Sequence, residues 1–310
     1  MISFFLFAIV NILVVLILAP FYISLIKKVK ALFQGRKGPK LFQAYYNLLK
    51  LFKKESIYST NSSFIMRVAP YINIICSIVA ILFVPLLFIP DNYFGFGNII
   101  LFLYILALAK FFMALAGLDA GSTFGGMGSS REMSISSIIE PIVIIIFATL
   151  AFVYNSVNFF EIFGATSVGL VHASLWLLLI PLIIVLLTET ARIPIDNPET
   201  HLELTMVHEA MILEQSGKNL ALMELSSGVK QVLLMAIIIN LFFPIGFNLP
   251  LSLIGIGTSL IAFLIKSIIL AISIGIIESF IAKSRLFRLP IIFAIAFLLS
   301  LITLMMEMLL

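Results

Sequence analysis

Long uninterrupted apolar segments constrain this chain more than any other feature of its sequence. A hydrocarbon core of about 30 Å is crossed by roughly 20 helical residues that rise about 1.5 Å each. Eight segments meet this requirement, and their continuous apolar character differs from the alternation of a membrane-spanning strand. Their bounds are Ile2–Ile26, Phe64–Ile89, Asn98–Leu118, Met133–Tyr154, Leu170–Glu189, Gln231–Phe247, Ile256–Ala282 and Pro290–Leu310. The sequence therefore predicts an all-α polytopic membrane protein in which residues 1–310 form one transmembrane domain of eight helices.

The composition excludes several other classes of protein. Charged residues make up 11% of the chain and hydrophobic residues 62%, whereas a soluble domain carries about 25% charged residues. This excludes a water-soluble enzyme domain, a disordered protein and a nucleic-acid binder. The single cysteine, Cys76, excludes a disulfide scaffold and an iron–sulfur cluster held by this chain alone. We expect a multi-pass protein of the cell membrane that is embedded in the lipid bilayer. We do not expect a nucleic acid among its partners.

The distribution of lysine and arginine predicts the orientation. The connections 90–97, 155–169 and 248–255 and both termini contain neither residue, whereas the four other connections are basic. Under the positive-inside rule, both termini lie outside and the basic connections lie in the cytoplasm. Three cytoplasmic segments carry further information: the first loop over 27–63, a glycine-rich loop over 119–132 and an acidic loop over 190–229.

The first loop contains a predicted amphipathic helix over residues 40–54. Its apolar side chains recur at helical spacing, with lysines between them. Such a helix is too short and too charged to span the bilayer and is expected to lie in its interface. It is either a simple membrane-surface helix or the edge of an entrance or docking surface.

The glycine-rich loop places four glycines and four hydroxyl side chains beside Asp119, Arg131 and Glu132. A phosphate-binding P-loop is excluded, because no Gly-Lys-Ser/Thr sequence and no preceding strand are present. The glycines permit tight turns and close backbone approach, and Arg131 could pair with Asp119 or Glu132. A flexible connection is the alternative.

The acidic loop is the most polar part of the chain. Residues 188–228 hold seven of its 15 acids: Glu189, Asp196, Glu199, Glu203, Glu209, Glu214 and Glu224. Carboxylates clustered beside a low-dielectric wall raise one another's pKa and can pass protons; a solvated acidic face is the alternative. His201 and His208 lack a recognisable third residue that could complete a metal site. The sequence also contains no combination of residues typical of a catalytic site.

Several charged residues lie inside the predicted spans, Lys110 and Glu140 most deeply. A central charge costs on the order of 3 kcal/mol on insertion, so an unpaired position facing lipid is unfavourable. The two residues predict an ion or proton path, or a structural ion pair between Lys110 and Glu140. Lys266 and Glu278 are further intramembrane charges.

Three motifs resemble those of a known family. They are Gln34-Gly-Arg-Lys-Gly-Pro39, Gly117-Leu-Asp-Ala-Gly-Ser-Thr-Phe-Gly-Gly-Met-Gly-Ser-Ser-Arg-Glu132 and Glu189-Thr-Ala-Arg-Ile-Pro-Ile-Asp-Asn-Pro-Glu199. Together with the eight spans, they resemble the membrane subunit of respiratory complex I that forms the heel and the quinone-chamber wall. The glycine-rich motif is closer to the homologous subunit of energy-converting membrane-bound [NiFe] hydrogenases and formate hydrogenlyases.

This resemblance implies a non-catalytic, cofactor-free subunit that anchors a peripheral arm and couples its redox chemistry to ion movement. The expected partners are hydrogenase-like large and small subunits, an iron–sulfur subunit and antiporter-like membrane subunits; iron–sulfur clusters and a NiFe centre would lie in those partners. The expected ion path comprises Lys110, Glu140, Asp196, Glu199, Glu203, Glu214 and Glu224. The expected peripheral-arm contacts are Arg36, Asp119, Arg131, Glu132 and Arg192.

The alternatives are the equivalent subunit of a sulfur-reducing relative or of a quinone-reducing complex I, and a free-standing secondary transporter. A transporter would predict an internal repeat with matched broken spans, and the two halves of the chain share no comparable motif. The sequence leaves open whether H⁺ or Na⁺ moves, and which compound accepts the electrons.

Overall fold

The computed structural model of the chain describes residues 2–168, 173–196, 206–247, 253–284 and 286–309. Over these residues it contains eleven α-helices and no named β-strand. They are α1 (Ile2–Phe33), α2 (Gln43–Phe52), α3 (Ile65–Ile81), α4 (Ile99–Asp119), α5 (Thr123–Tyr154), α6 (Phe159–Val168), α7 (Leu179–Glu189), α8 (His208–Ile212), α9 (Gly217–Phe242), α10 (Leu253–Phe280) and α11 (Leu289–Leu309). Short 3₁₀ helices precede α7 and α11, at Ala173–Leu178 and Leu286–Arg288.

Six of these helices, α1, α4, α5, α9, α10 and α11, are long and apolar enough to cross a membrane. Two further predicted spans coincide with shorter apolar helices over Ile65–Ile81 and Ser174–Glu189. The prediction of an all-helical, multi-pass membrane protein is therefore confirmed. We call the side of the bundle where α1, α4, α7 and α10 end the basic side, because the lysine- and arginine-rich connections lie there.

The segment after α3 shows why this helix is shorter than its predicted span. Residues 82–89 lie outside the helix, and residues 83–88 among them are buried. Asn240 of α9 donates its side-chain amide to the carbonyl oxygens of Pro85 (2.7 Å) and Leu86 (3.3 Å). The side-chain amide of Asn11 donates to the carbonyl of Val84 at 3.4 Å. Irregular backbone at membrane depth requires such internal hydrogen-bond partners.

The glycine-rich segment over 119–132 is not a loop beyond residue 122, as α5 begins at Thr123. The Ser122 side chain caps this helix by accepting a hydrogen bond from the Gly125 backbone N–H at 3.0 Å. A methyl group added at Gly125 would lie 2.4 Å from the carbonyl oxygen of Gly117 in α4, and one at Gly128 would lie 2.8 Å from Ala210 Cβ in α8. The glycines therefore allow α4, α5 and α8 to pack closely.

We expect Gly128→Leu to separate α5 from α8 and to lower the apparent melting temperature of the chain by about 3–8 °C, since overpacking costs about 1–3 kcal/mol. Gly126→Leu is the matched control, because a methyl group there meets no atom within 4 Å. A thiol-reactive dye that detects the exposure of buried Cys76 reports the unfolding. Equal melting temperatures for the two variants would contradict the close packing of α5 on α8.

The acidic segment 190–229 likewise contains helices. It includes α8 and the first half of α9, which begins at Gly217 rather than near the predicted Gln231. The Ser216 hydroxyl accepts a hydrogen bond from the Ile57 backbone N–H (2.8 Å) and donates one to its carbonyl (3.1 Å). The first loop and α9 are thereby joined on the basic side.

Candidate functional site

A buried cluster of four charged side chains lies where α4, α5, α7 and α9 meet. The ammonium of Lys110 donates to Glu189 Oε1 at 2.6 Å, and Lys230 Nζ lies 3.8 Å from Glu189 Oε2. Glu132 is 9% exposed and interacts electrostatically with Lys110, Glu189 and Lys230. We call these four residues the lysine cluster; its two cations and two anions balance within a low-dielectric interior.

A second cluster joins the end of α7 to α1, α9 and α10. The guanidinium of Arg192 donates to Glu278 Oε1 at 2.9 Å and to Gln231 Oε1 at 2.7 Å. Lys30 Nζ lies 3.8 Å from Glu278 Oε2. All four side chains are buried, and we call them the arginine cluster.

Asp196 connects three segments of the basic side. Its Oδ1 accepts a hydrogen bond from Lys283 at 2.8 Å, and its Oδ2 accepts the backbone N–H groups of Val207 (3.0 Å) and His208 (2.9 Å). These N–H groups stand at the start of α8. Asp196 therefore holds α8 against the segment between α10 and α11, a positioning role that the sequence did not predict.

A polar cavity of 300 Å³ lies between α1, α2, α9 and the segment around α8. Lys27, Arg192, His208, Glu209 and Glu224 line it. Burial lowers the pKa of His208 and raises the pKa of Glu209. Both shifts favour the neutral forms. The raised pKa of Glu209 brings this carboxyl group closer to neutral pH than an exposed carboxylate, whereas the lowered pKa of His208 keeps its imidazole neutral at pH 7.

An apolar cavity of 510 Å³ lies on the other side of the lysine cluster, between α4, α5, α7 and α9. Lys110, Glu140 and Glu189 are the charged residues in its wall. Glu140 is exposed and interacts electrostatically with Lys110. The charged side chains named above thus form a series that extends from the polar cavity to the outer face of α5.

Electrostatic interactions connect the groups between these two cavities. Glu189 interacts with His208, and His208 interacts with Asp196, Glu209 and Lys230. Such an alternation of acidic and basic groups can relay a proton, or transmit a change of charge, through a medium that does not contain bulk water. Among the described residues, no group of three or more His, Cys, Asp or Glu side chains could hold a metal ion.

The structure brings some of the residues predicted for an ion path close together and leaves others apart. Lys110 lies in the lysine cluster, and Glu140 and Glu224 line the two cavities, but Lys110 donates to Glu189, not to Glu140. Asp196 lies outside both clusters and holds the start of α8. Glu214 is exposed in the turn before α9 and is not part of this network. Glu199 and Glu203, like His201, lie outside the described residues.

The residues predicted to contact a peripheral arm lie in several different environments. Arg36 is exposed, whereas Glu132 and Arg192 are buried in the two clusters. Arg131 donates to the carbonyl of Met206 at 3.0 Å, and among the described residues it does not pair with Asp119 or Glu132 as the sequence had suggested. Asp119 Oδ2 accepts the backbone N–H groups of Ser63 (2.9 Å) and Met66 (3.0 Å), and thus caps the start of α3. Four of these five side chains interact with groups of the chain itself, because helix ends and buried charges need partners.

The predicted ion path and peripheral-arm contacts did not include several partners of the buried charges. They are Lys30, Lys230, Gln231 and Lys283, together with Glu189 and Glu278, which the sequence marked only as an acid of the polar loop and as an intramembrane charge. Glu189 and Glu278 stand near the ends of predicted spans, where a charge usually reaches water. Their position beside apolar segments was the only indication in the sequence that these carboxylates are buried. Their partners could not be identified, because they lie tens to hundreds of residues away along the chain.

Comparison with known proteins identifies the family. The NADH dehydrogenase family matches residues 6–308. The chain belongs to this family. Hydrogenase-4 component C of Escherichia coli (strain K12) is 32% identical over 286 residues, which cover 90% of this chain and 88% of that protein.

Two further members of the family extend the comparison. Formate hydrogenlyase subunit 4 of the same strain is 26% identical, over 91% of each chain. NADH-ubiquinone oxidoreductase chain 1 of Chondrus crispus is 28% identical, over 76% of this chain and 74% of that one. The family resemblance drawn from the three motifs is thus confirmed, and the chain is a membrane subunit of the complex I-like type.

A solved structure supports the fold. A chain of the membrane-bound sulfane sulfur reductase, an archaeal respiratory membrane complex, superposes with a TM-score of 0.85. The match covers 98% of this chain and 99% of that one at 20% identity. This likeness establishes the helical arrangement.

Proposed function

We propose that this chain is the membrane-anchoring and ion-translocation-coupling subunit of a complex I-like membrane-bound hydrogenase complex. It would link ferredoxin-driven redox chemistry in a peripheral arm to the movement of H⁺ or Na⁺. The family and the two hydrogenase-type relatives support the class of complex. The coupling role is supported above all by the position of the lysine cluster. Glu140 lies on one side of this cluster and the polar cavity lies on the other.

The physical basis of the coupling is the cost of buried charge. Each ion moved out of water loses several kcal/mol of solvation, which only close partners offset. A change of charge in the polar cavity therefore alters the most favourable charge of the lysine cluster, and that in turn alters the electrostatic potential at Glu140. Glu199 and Glu203 remain predicted members of this path.

The proposed placement in the membrane has eight spanning helices, with both termini outside and the basic side in the cytoplasm. The two shorter apolar helices supply the second and fifth spans, and residues 82–89 extend the second one as buried irregular chain. The lysine and arginine distribution supports the orientation. Residues 1–310 then form one transmembrane domain, with α2 lying in the cytoplasmic interface.

The partners follow from the same family. The peripheral arm would consist of hydrogenase-like large and small subunits and an iron–sulfur subunit, which carry the iron–sulfur clusters and the NiFe centre. It would dock on the cytoplasmic side, where Arg36 is exposed. Antiporter-like subunits would lie beside this chain in the bilayer and receive the coupling from Glu140.

Gentle detergent purification of the native assembly tests this function. We expect the tagged chain to co-purify with iron–sulfur and hydrogenase-like subunits, and the preparation to contain nickel. Iron–sulfur clusters without nickel would contradict the hydrogenase assignment in favour of a sulfur-reducing or quinone-reducing complex. A chain that purifies alone and transports ions without any electron-carrying centre would overturn the coupling role.

A further inference from the structure

The apolar cavity follows one face of α4 and one face of α5. Leu103, Ala107 and Lys110 line it from α4 at helical spacing, and α5 contributes a matching row that includes Glu140 and Ala148. Ala107 and Ala148 are exposed. Because small side chains stand where larger ones would fill the space between the helices, the cavity opens towards the surrounding bilayer.

The stretch of α4 and α5 that lines the cavity is about as long as one leaflet is thick. The lining residues of α4 run from Ile99 to Lys110, and those of α5 run from Glu140 to Ala151. Eleven helical steps correspond to about 16 Å, and half of a hydrocarbon core of about 30 Å is about 15 Å. The cavity therefore extends from the end of the bundle opposite the basic side to the middle of the bilayer.

The chemistry of the wall favours hydrocarbon over water. Its charged residues are confined to the inner end, and Lys110 and Glu189 there are already bound to each other. Apolar cavities of this kind stay dry but accept apolar ligands, and 510 Å³ lies within the range of ligand-binding cavities. Tyr104 and Ile144, which flank the opening, are 69% and 59% exposed.

We propose that this cavity binds one acyl chain of a membrane lipid from the leaflet opposite the basic side. The headgroup stays in the interface near the start of α4, and the terminal methyl group reaches the level of Glu140 and the lysine cluster. The bound chain keeps water out of the space between α4 and α5. This inference rests on the cavity alone and does not require the proposed coupling function.

Photolabelling of the native complex tests the lipid site. The complex is reconstituted into nanodiscs that contain phosphatidylglycerol with a diazirine in the middle of one acyl chain. We expect labelling of residues 99–110 and 140–151 to exceed that of α11 several-fold. Ala148→Phe, which fills the opening, should reduce that labelling at least fivefold, and Ala107→Leu should reduce it to a smaller extent.

Ala294→Phe is the matched control, because Ala294 is an exposed alanine of α11 that does not line the cavity. It should leave the labelling of α4 and α5 unchanged, and melting temperatures should show that each variant is folded. Equal labelling of α5 and α11 in the parent chain would overturn the site, as would labelling that neither cavity variant reduces. A photoreactive residue placed at position 107 provides a further test. If it captures a neighbouring protein instead of lipid, the lipid site is overturned.

Discussion

Glu189→Gln is expected to destabilise the chain by about 3–5 kcal/mol, because it removes the counter-charge of two buried lysines. Lys110 and Lys230 would then face each other, with Glu132 as the remaining anion of the lysine cluster. The predicted result is a loss of more than about 7 °C in apparent melting temperature, measured by the exposure of Cys76 to a thiol-reactive dye. Coupled turnover should be lost together with stability.

Glu214→Gln is the control for this substitution, since Glu214 is exposed and lies outside the network. It should melt within about 1 °C of the parent chain, as surface substitutions usually change stability by less than about 0.5 kcal/mol. Adding Lys110→Met to Glu189→Gln should recover part of the lost stability, because it leaves one cation, Lys230, opposite one anion, Glu132, and so restores the charge balance. If the double variant is less stable than Glu189→Gln alone, the lysine cluster is not held together by charge balance.

Glu140→Gln is expected to reduce redox-driven ion translocation at least tenfold while leaving electron transfer in the peripheral arm intact. The substitution removes the carboxylate at the inner end of the apolar cavity but keeps the size of the side chain, and Glu140 is exposed, so the fold should be retained. Sealed vesicles with a gradient-sensitive dye report translocation, and soluble electron-accepting dyes report the peripheral reaction. Glu140→Asp, which keeps a carboxylate, should retain part of the translocation.

Glu161→Gln provides a matched control on the opposite side of the bundle. Glu161 is an exposed carboxylate of α6 that accepts a hydrogen bond from Tyr93 at 2.9 Å and lines neither cavity. Its substitution should leave translocation at the parent level. Undiminished translocation in Glu140→Gln would show that the path does not pass through the face of α5.

Packing explains why the predicted helix bounds were only partly correct. Hydropathy located α4 and α11 within a few residues. It extended the second span through residues 82–89, because a buried irregular segment is as apolar as a helix and differs only in the partners of its backbone. It also could not show that glycines 125 and 128 lie on the contact face of a helix, since that depends on the carbonyl of Gly117 and on Ala210 beside them.

The sequence by itself determined the class of protein, the family and the presence of costly intramembrane charges, because apolar length, motif order and the positions of Lys110 and Glu140 are all local properties of the chain. Only the tertiary structure decided which charges meet. Glu189 lies 79 residues from Lys110, and Arg192 lies 86 residues from Glu278. A carboxylate near the end of a span reaches water in one packing and a buried lysine in another, and that choice depends on the helices that surround it.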